Sequence, residues 1–174
     1  MEYLYHRVPK NMSRTVLYPL NVLKDTKPDI YTEQSKKYFG RERILRAQIP
    51  PLNCLWNDVL HFTAVEPHMM KENLEKAGFV FKPSSYFKIP IETILGENSI
   101  AFTNPDGKLT LVPFLDYETF DTNRMPIYKE IPEATLEYYK EKKLAGEHPL
   151  IYQFVPHILY KGSLNTEGLD VITI

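Results

Sequence analysis

The sequence predicts an α+β fold: a single globular domain over residues 1–174, with a mixed or antiparallel sheet and flanking helices. Three observations predict it. EPHMMKENLEKAG, Glu66 to Gly78, has helical apolar spacing between a proline and a glycine. SIAFT and KLTLVPF flank NPDG, Asn104 to Gly107, a turn signature that favours a hairpin. Strand-like and helix-like runs alternate irregularly, with no internal repeat, low-complexity tract or linker.

Taken in order, YLYHRVP opens with a strand, Tyr3 to Val8, alternating aromatic and branched residues and stopped by Pro9. PKNMSR is a polar loop, and TVLYPLNVL is an apolar run. In KPDIYTEQSKKYFGRERILRAQ, Asp29 suits a helix cap and Gly40 divides two helical pieces, which Pro50 and Pro51 end. Asp58 to Val65 is expected as a strand. Val59, His61, Thr63 and Val65 would share one face, and Asp58, Leu60, Phe62 and Ala64 the other. Pro67 starts the next helix and Gly78 ends it. SSYFKIPI and NSIAFT are strands, and DYETFDTNRM is a polar loop. IPEATLEYYKEKKLAGE is a helix from Pro132 to Gly146. LIYQFVPHILYKGSL is expected as two short strands broken at Pro156, and LDVITI as a last strand.

Composition narrows the function classes. With 43% hydrophobic and 25% charged residues, the chain can bury a sizeable core. A net charge of −1 supplies no global basic field, so nucleic acid is expected only through a local patch. A single cysteine excludes an internal disulfide. With neither a signal-like start nor a long apolar run, a cytoplasmic protein without membrane association is the expectation. There is no phosphate-cradling glycine loop, dinucleotide fingerprint, paired-cysteine zinc pattern, HExxH or GxSxG.

The segment LNCLWNDVLHF, Leu52 to Phe62, holds the only Cys and the only Trp. Its apolar residues are interleaved with Asn53, Asn57, Asp58 and His61. Buried polar groups are costly without partners, so this segment either closes an internal network or lines a site. Cys54, among Leu52, Leu55 and Trp56, is expected as a buried structural thiol. Asp58 could orient His61 as a general base, although a spacing of three suits a helix better than a strand. His6, Arg7 and Asn11 form a second grouping. Neighbours on a strand face opposite ways, so His6 and Arg7 would not enter one pocket; a backbone hydrogen bond for His6 and a salt bridge for Arg7 would be the structural alternative. His157 follows a proline at a strand start. These histidines and His68 lack ligand-like spacing, and no metal is expected.

LYHRVPKNMSRTVL, with His6 and Asn11, resembles the opening of DarT-type DNA ADP-ribosyltransferases and of the wider ADP-ribosyltransferase-like group that includes RNA 2′-phosphotransferases. NDVLHFTAVEPHMM is similar to the middle segment of that family, and PHILYKGSLNTEGLDVITI to its end. The sequence also departs from the pattern. Asn11 lies one residue nearer His6, the mid-chain arginine is missing from AVEPHMM, and His157 stands where a glutamate is expected. The resemblance implies an ADP-ribosyltransferase-like fold that binds NAD or a nucleotide, with weak or lost transferase activity. It implies His6, Asn11, Tyr18, Trp56 and Asn57 on the cofactor and Asp58, His61 and His157 as catalytic candidates. Asp58 or Glu66 would be the nearest carboxylate for a developing oxocarbenium charge. A macromolecular acceptor is left open. The alternatives are a non-catalytic interaction module with a tyrosine-rich surface, then a hydrolase with an Asp–His pair.

Overall fold

The computed structural model describes residues 1–10, 12, 15–103 and 117–174. Asn11 and the NPDG turn, with the KLTLVPF run after it, lie outside the described residues.

Two antiparallel sheets form the centre. The first has the order β1–β6–β11, with β1 at Tyr3–Arg7, β6 at Ser85–Pro90 and β11 at Asp170–Thr173. The second has the order β5–β9–β7–β8, with β5 at Leu60–Phe62, β9 at His157–Tyr160, β7 at Ser99–Phe102 and β8 at Tyr117–Thr119. One backbone bridge joins them: Tyr5 N–H donates to the Thr63 carbonyl at 2.8 Å, and Thr63 N–H to the Tyr5 carbonyl at 3.1 Å. Two small pairs complete the strands. β2 (Val16–Leu17) pairs with β10 (Leu164–Asn165), and β3 (Gln48–Ile49) with β4 (Cys54–Leu55).

Strand alternation sorts the side chains. Leu60, Phe62 and Ala64 share a core with Leu4, Phe87 and Ile89 of the first sheet and with Ala101 and Ile158. This is the face expected from the sequence. The opposite face of the second sheet presents His61, His157, Ile100, Phe102 and Leu159. Ile100 and Leu159 pack there with Ile49, Leu52 and Val59.

Five α-helices flank the sheets among the described residues: α1 Leu20–Thr26, α2 Pro28–Ser35, α3 Pro67–Lys76, α4 Met125–Tyr128 and α5 Glu133–Leu144. None is long and apolar enough to cross a membrane. Pro67 occupies the first turn of α3, and Gly78 follows its end at φ +85°. Pro132 caps α5, and Gly146 lies beyond it at φ +70°. These left-handed positions suit glycine, which has no Cβ to clash. Met70 and Leu74 of α3 pack on Tyr139 of α5 with Val65 and Val155.

Several local expectations need correction. Lys27, not Asp29, occupies the cap position of α2, because Pro28 already supplies the first helical residue. Asp58 belongs to a 3₁₀ turn, Trp56–Asp58, rather than to a strand. The polar loop after Asp116 contains β8, a 3₁₀ turn at Thr122–Arg124 and α4. In LIYQFVPHILYKGSL no strand precedes Pro156; β9 follows it, and the last residue, Leu164, opens β10. Residues 151–155 are turns packed on α5, whose Tyr139 and Thr135 hydroxyls take the Ile151 and Gln153 carbonyls.

Leu4 is 0% exposed between the sheets. Leu4→Ala is expected to cost about 2–5 kcal/mol in denaturant unfolding, from lost burial and a residual cavity. Val171→Ala, at a site 52% exposed, is expected to change stability by less than about 0.5 kcal/mol.

Candidate functional site

A cavity of about 960 Å³ opens on the outer face of the second sheet. His61, His157, Phe102 and Tyr117 from that sheet line it, with Trp56 and Asn57 from the 3₁₀ turn and His6 from β1. The register of the sheets explains this convergence. His157 pairs with Phe102, and Leu159 with His61, across β9. Continuing the Tyr5–Thr63 bridge by one residue sets His6 against Phe62, whose rings lie 5.8 Å apart, edge to face.

The rings form a continuous aromatic patch. Trp56 lies 4.7 Å from His61, 5.3 Å from Phe102 and 6.1 Å from His157, centroid to centroid. His61 and His157 are 6.0 Å apart. Such a patch offers π-faces for a flat ring to stack on. Residues 18–48, with α1 and α2, contribute a second wall, which includes Tyr18. A third wall, Leu150–Val155, hangs on α5. There the Thr135 hydroxyl donates to the Gln153 carbonyl at 3.0 Å, the Tyr139 hydroxyl to the Ile151 carbonyl, and Leu150 N–H to the Tyr138 hydroxyl at 3.1 Å. Phe154 in this wall adopts φ +67°, an unfavourable region for a bulky residue.

The three imidazoles share one hydrogen-bonding arrangement. His6 Nδ1 bonds the Arg7 carbonyl at 2.7 Å, His61 Nε2 the Trp56 carbonyl at 2.8 Å, and His157 Nδ1 the Val155 carbonyl at 2.6 Å. A carbonyl only accepts, so each of these nitrogens carries the proton. The other nitrogen of each neutral ring is an acceptor. Burial lowers His6 to about 4 and His61 to about 3, and it lowers His157 as well. Nearby positive charge adds to the effect, since Lys37 acts on His6 and on His61. At neutral pH these rings are hydrogen-bond acceptors, too weakly basic for efficient general-base work.

Lys27, Lys37 and Arg41 also line the cavity, and no carboxylate does among the described residues. Asn57 is 2% exposed; its Oδ1 accepts from the Tyr38 hydroxyl at 2.6 Å, and its Nδ2 has no acceptor among the described residues.

His6, Tyr18, Trp56, Asn57, His61 and His157 are therefore brought together. Asp58 is not among the lining residues. Its Oδ1 accepts from Asn21 Nδ2 and its Oδ2 from Leu55 N–H, both at 2.7 Å, so it ties the 3₁₀ turn to α1 and does not contact His61. Glu66 is likewise outside the cavity and lies beside His68 at 3.1 Å. Arg7 donates to the Ser84 hydroxyl at 2.7 Å and leaves the cavity to His6. Cys54 is half-buried, and burial raises its thiol, as befits a structural cysteine. Among the described residues no group of three or more side chains is placed to hold a metal.

Sequence reasoning missed Tyr38, Lys37 and Arg41. No local pattern signals the two cations, because the 3₁₀ turn that holds Lys37 ends at Tyr38 and Gly40, at φ +75°, turns the chain before Arg41.

The fold and this cavity define an α+β protein with a large pocket, aromatic on its floor and cationic on one wall. No family model, curated protein or solved structure matches the chain.

Two outcomes follow from this geometry. In the unfolded chain the histidines protonate near their ordinary value of 6.5, whereas the folded chain resists until about pH 4 at His6 and about pH 3 at His61. Between those limits the unfolded state binds more protons, so stability falls as pH drops through the window. The melting temperature should decline from pH 6.5 to 4, and His6→Gln and His61→Gln should each flatten that slope. Asp58→Ala removes two acceptors and should cost about 1–3 kcal/mol in chemical denaturation. Asp58→Asn, which keeps one acceptor, should cost less.

Proposed function

We propose that the chain is an ADP-ribosyltransferase-like protein that binds NAD or a related nucleotide, with weak or lost transferase activity. The observation that carries this reading is the cavity, where an aromatic floor, imidazole acceptors and cations coexist without a carboxylate among the described residues. A nucleotide presents the complementary groups: a flat base, ribose hydroxyls that donate, and anionic phosphates. His6 Nε2 accepts from a ribose hydroxyl or from the nicotinamide amide, and Trp56 or Tyr18 stacks on a ring. The sequence resemblance from LYHRVPKN onward supports the same class.

Weak turnover has a physical basis. Glycosyl transfer from NAD builds positive charge on the ribosyl carbon, and a fixed carboxylate nearby would stabilise that charge. Asp58 and Glu66 lie elsewhere. Losing a group that acts only in the transition state lowers turnover and leaves ground-state binding largely intact.

Titration calorimetry with NAD, ADP-ribose and an RNA 2′-phosphate mimic tests the reading. Binding of at least one is expected, with a change in Trp56 fluorescence, and His6→Ala should weaken it by up to about tenfold. Binding indifferent to His6→Ala would move the site. If none of the three binds at millimolar concentration, the nucleotide reading fails.

A further inference from the structure

We infer that Lys37 and Arg41, steadied by Tyr38, form the subsite that recognises the phosphates of the ligand, and that the cavity selects nucleotides carrying at least a diphosphate. This rests on the nucleotide reading and adds to it the orientation of the ligand and the residues that set its affinity.

Several independent features converge here. The Lys37 ammonium lies 5.1 Å from the centroid of the Tyr38 ring, and the Arg41 guanidinium carbon 6.0 Å from it. One ring thus holds both cations. Arg41 Nη2 also donates to the Lys37 backbone carbonyl, which anchors the guanidinium beside this segment. The Tyr38 hydroxyl donates to Asn57 Oδ1, so the cluster is linked through Asn57 to its neighbour Trp56 on the aromatic floor. Neither cation forms a salt bridge among the described residues, because the neighbouring carboxylates are engaged elsewhere. Glu33 pairs with Lys36, and Glu42 accepts from Gly40 N–H at 2.8 Å.

Two like charges held side by side without a counter-ion repel each other. Burial, and after it the Arg41 charge, make the Lys37 ammonium easier to deprotonate than usual. An anion bridging both would relieve that repulsion through charge-assisted hydrogen bonds, two of them parallel if Arg41 engages it bidentately. A single phosphate would satisfy one cation well; two linked phosphates match the pair. The unpartnered Nδ2 of Asn57 is a further buried donor in the same cluster. The base then lies on Trp56 and Phe102, and the ribose passes the imidazole acceptors.

The test compares adenosine, AMP and ADP by titration calorimetry on the whole chain and on the double variant Lys37→Gln/Arg41→Gln. Lys37 is exposed and Arg41 half-buried at the cavity, so the variant's fold is checked by its thermal melt beside the titrations. ADP is expected to bind about tenfold or more tightly than adenosine, with AMP between them, and added salt should narrow the gap. The double variant should bring ADP to the adenosine level and leave adenosine unchanged, while Lys37→Arg should retain the preference for ADP. Equal binding of adenosine and ADP by the unaltered chain would overturn the phosphate subsite and leave the nucleotide reading standing. So would a variant that loses adenosine and ADP alike. Failure of ADP to bind where NAD or ADP-ribose does would overturn the subsite alone, and failure of all of these ligands would overturn both.

Discussion

The backbone bridge between Tyr5 and Thr63 is the contact on which the site depends. Among the described residues, the two sheets share only side-chain packing apart from this bridge, which fixes their register to the residue. A shift by one position would turn His6 away from Phe62 and put Arg7, with its charge, into the core face. In the observed register the imidazole of β1 reaches the cavity that the second sheet floors, although its own sheet lies behind the core.

The cavity combines groups that burial ordinarily penalises. Three histidines sit in its wall, and burial alone would favour their neutral forms; hydrogen bonds from their protonated nitrogens to backbone carbonyls oppose that but do not outweigh it. The result is a polar surface without charge at the floor and with cations at the rim. Asn57 shows the same economy, since one end of its amide is satisfied by Tyr38 and the other has no partner among the described residues. An unpaired buried donor is costly, of order 1–3 kcal/mol, and such groups call for a physical reason. A ligand acceptor is one.

Much of the fold was legible because the punctuation is strong. Pro67 with Gly78, and Pro132 with Gly146, delimit α3 and α5 through φ alone, and the alternation from Leu60 to Ala64 separates core face from cavity face. The candidate site was legible where residue type is unusual, as at Trp56, Asn57 and His61. What could not be read depends on contacts across the fold. Ile151, Tyr152 and Val155 look like strand residues, yet they pack on α5, and its hydroxyls take the carbonyls that a ladder would have used. Asp58 looks catalytic beside His61, but its oxygens are claimed by Asn21 and Leu55 N–H, groups whose proximity no local pattern reveals. Lys37 and Arg41 look like a solvated face because the cavity beneath them is assembled from elsewhere.

The first sheet draws its strands from Tyr3–Arg7, Ser85–Pro90 and Asp170–Thr173, and the second unites Leu60–Phe62, Ser99–Phe102 and His157–Tyr160. Nearly every pairing that builds the cavity therefore closes a long loop. Chain entropy must be surrendered before such contacts repay it, and topologies of this kind fold slowly for their size. The helices α3 and α5 are local and need no such closure. Completion of the pocket is thus coupled to the slowest class of event in the chain's maturation, and its rate is set by the meeting of distant strands rather than by the residues that line it.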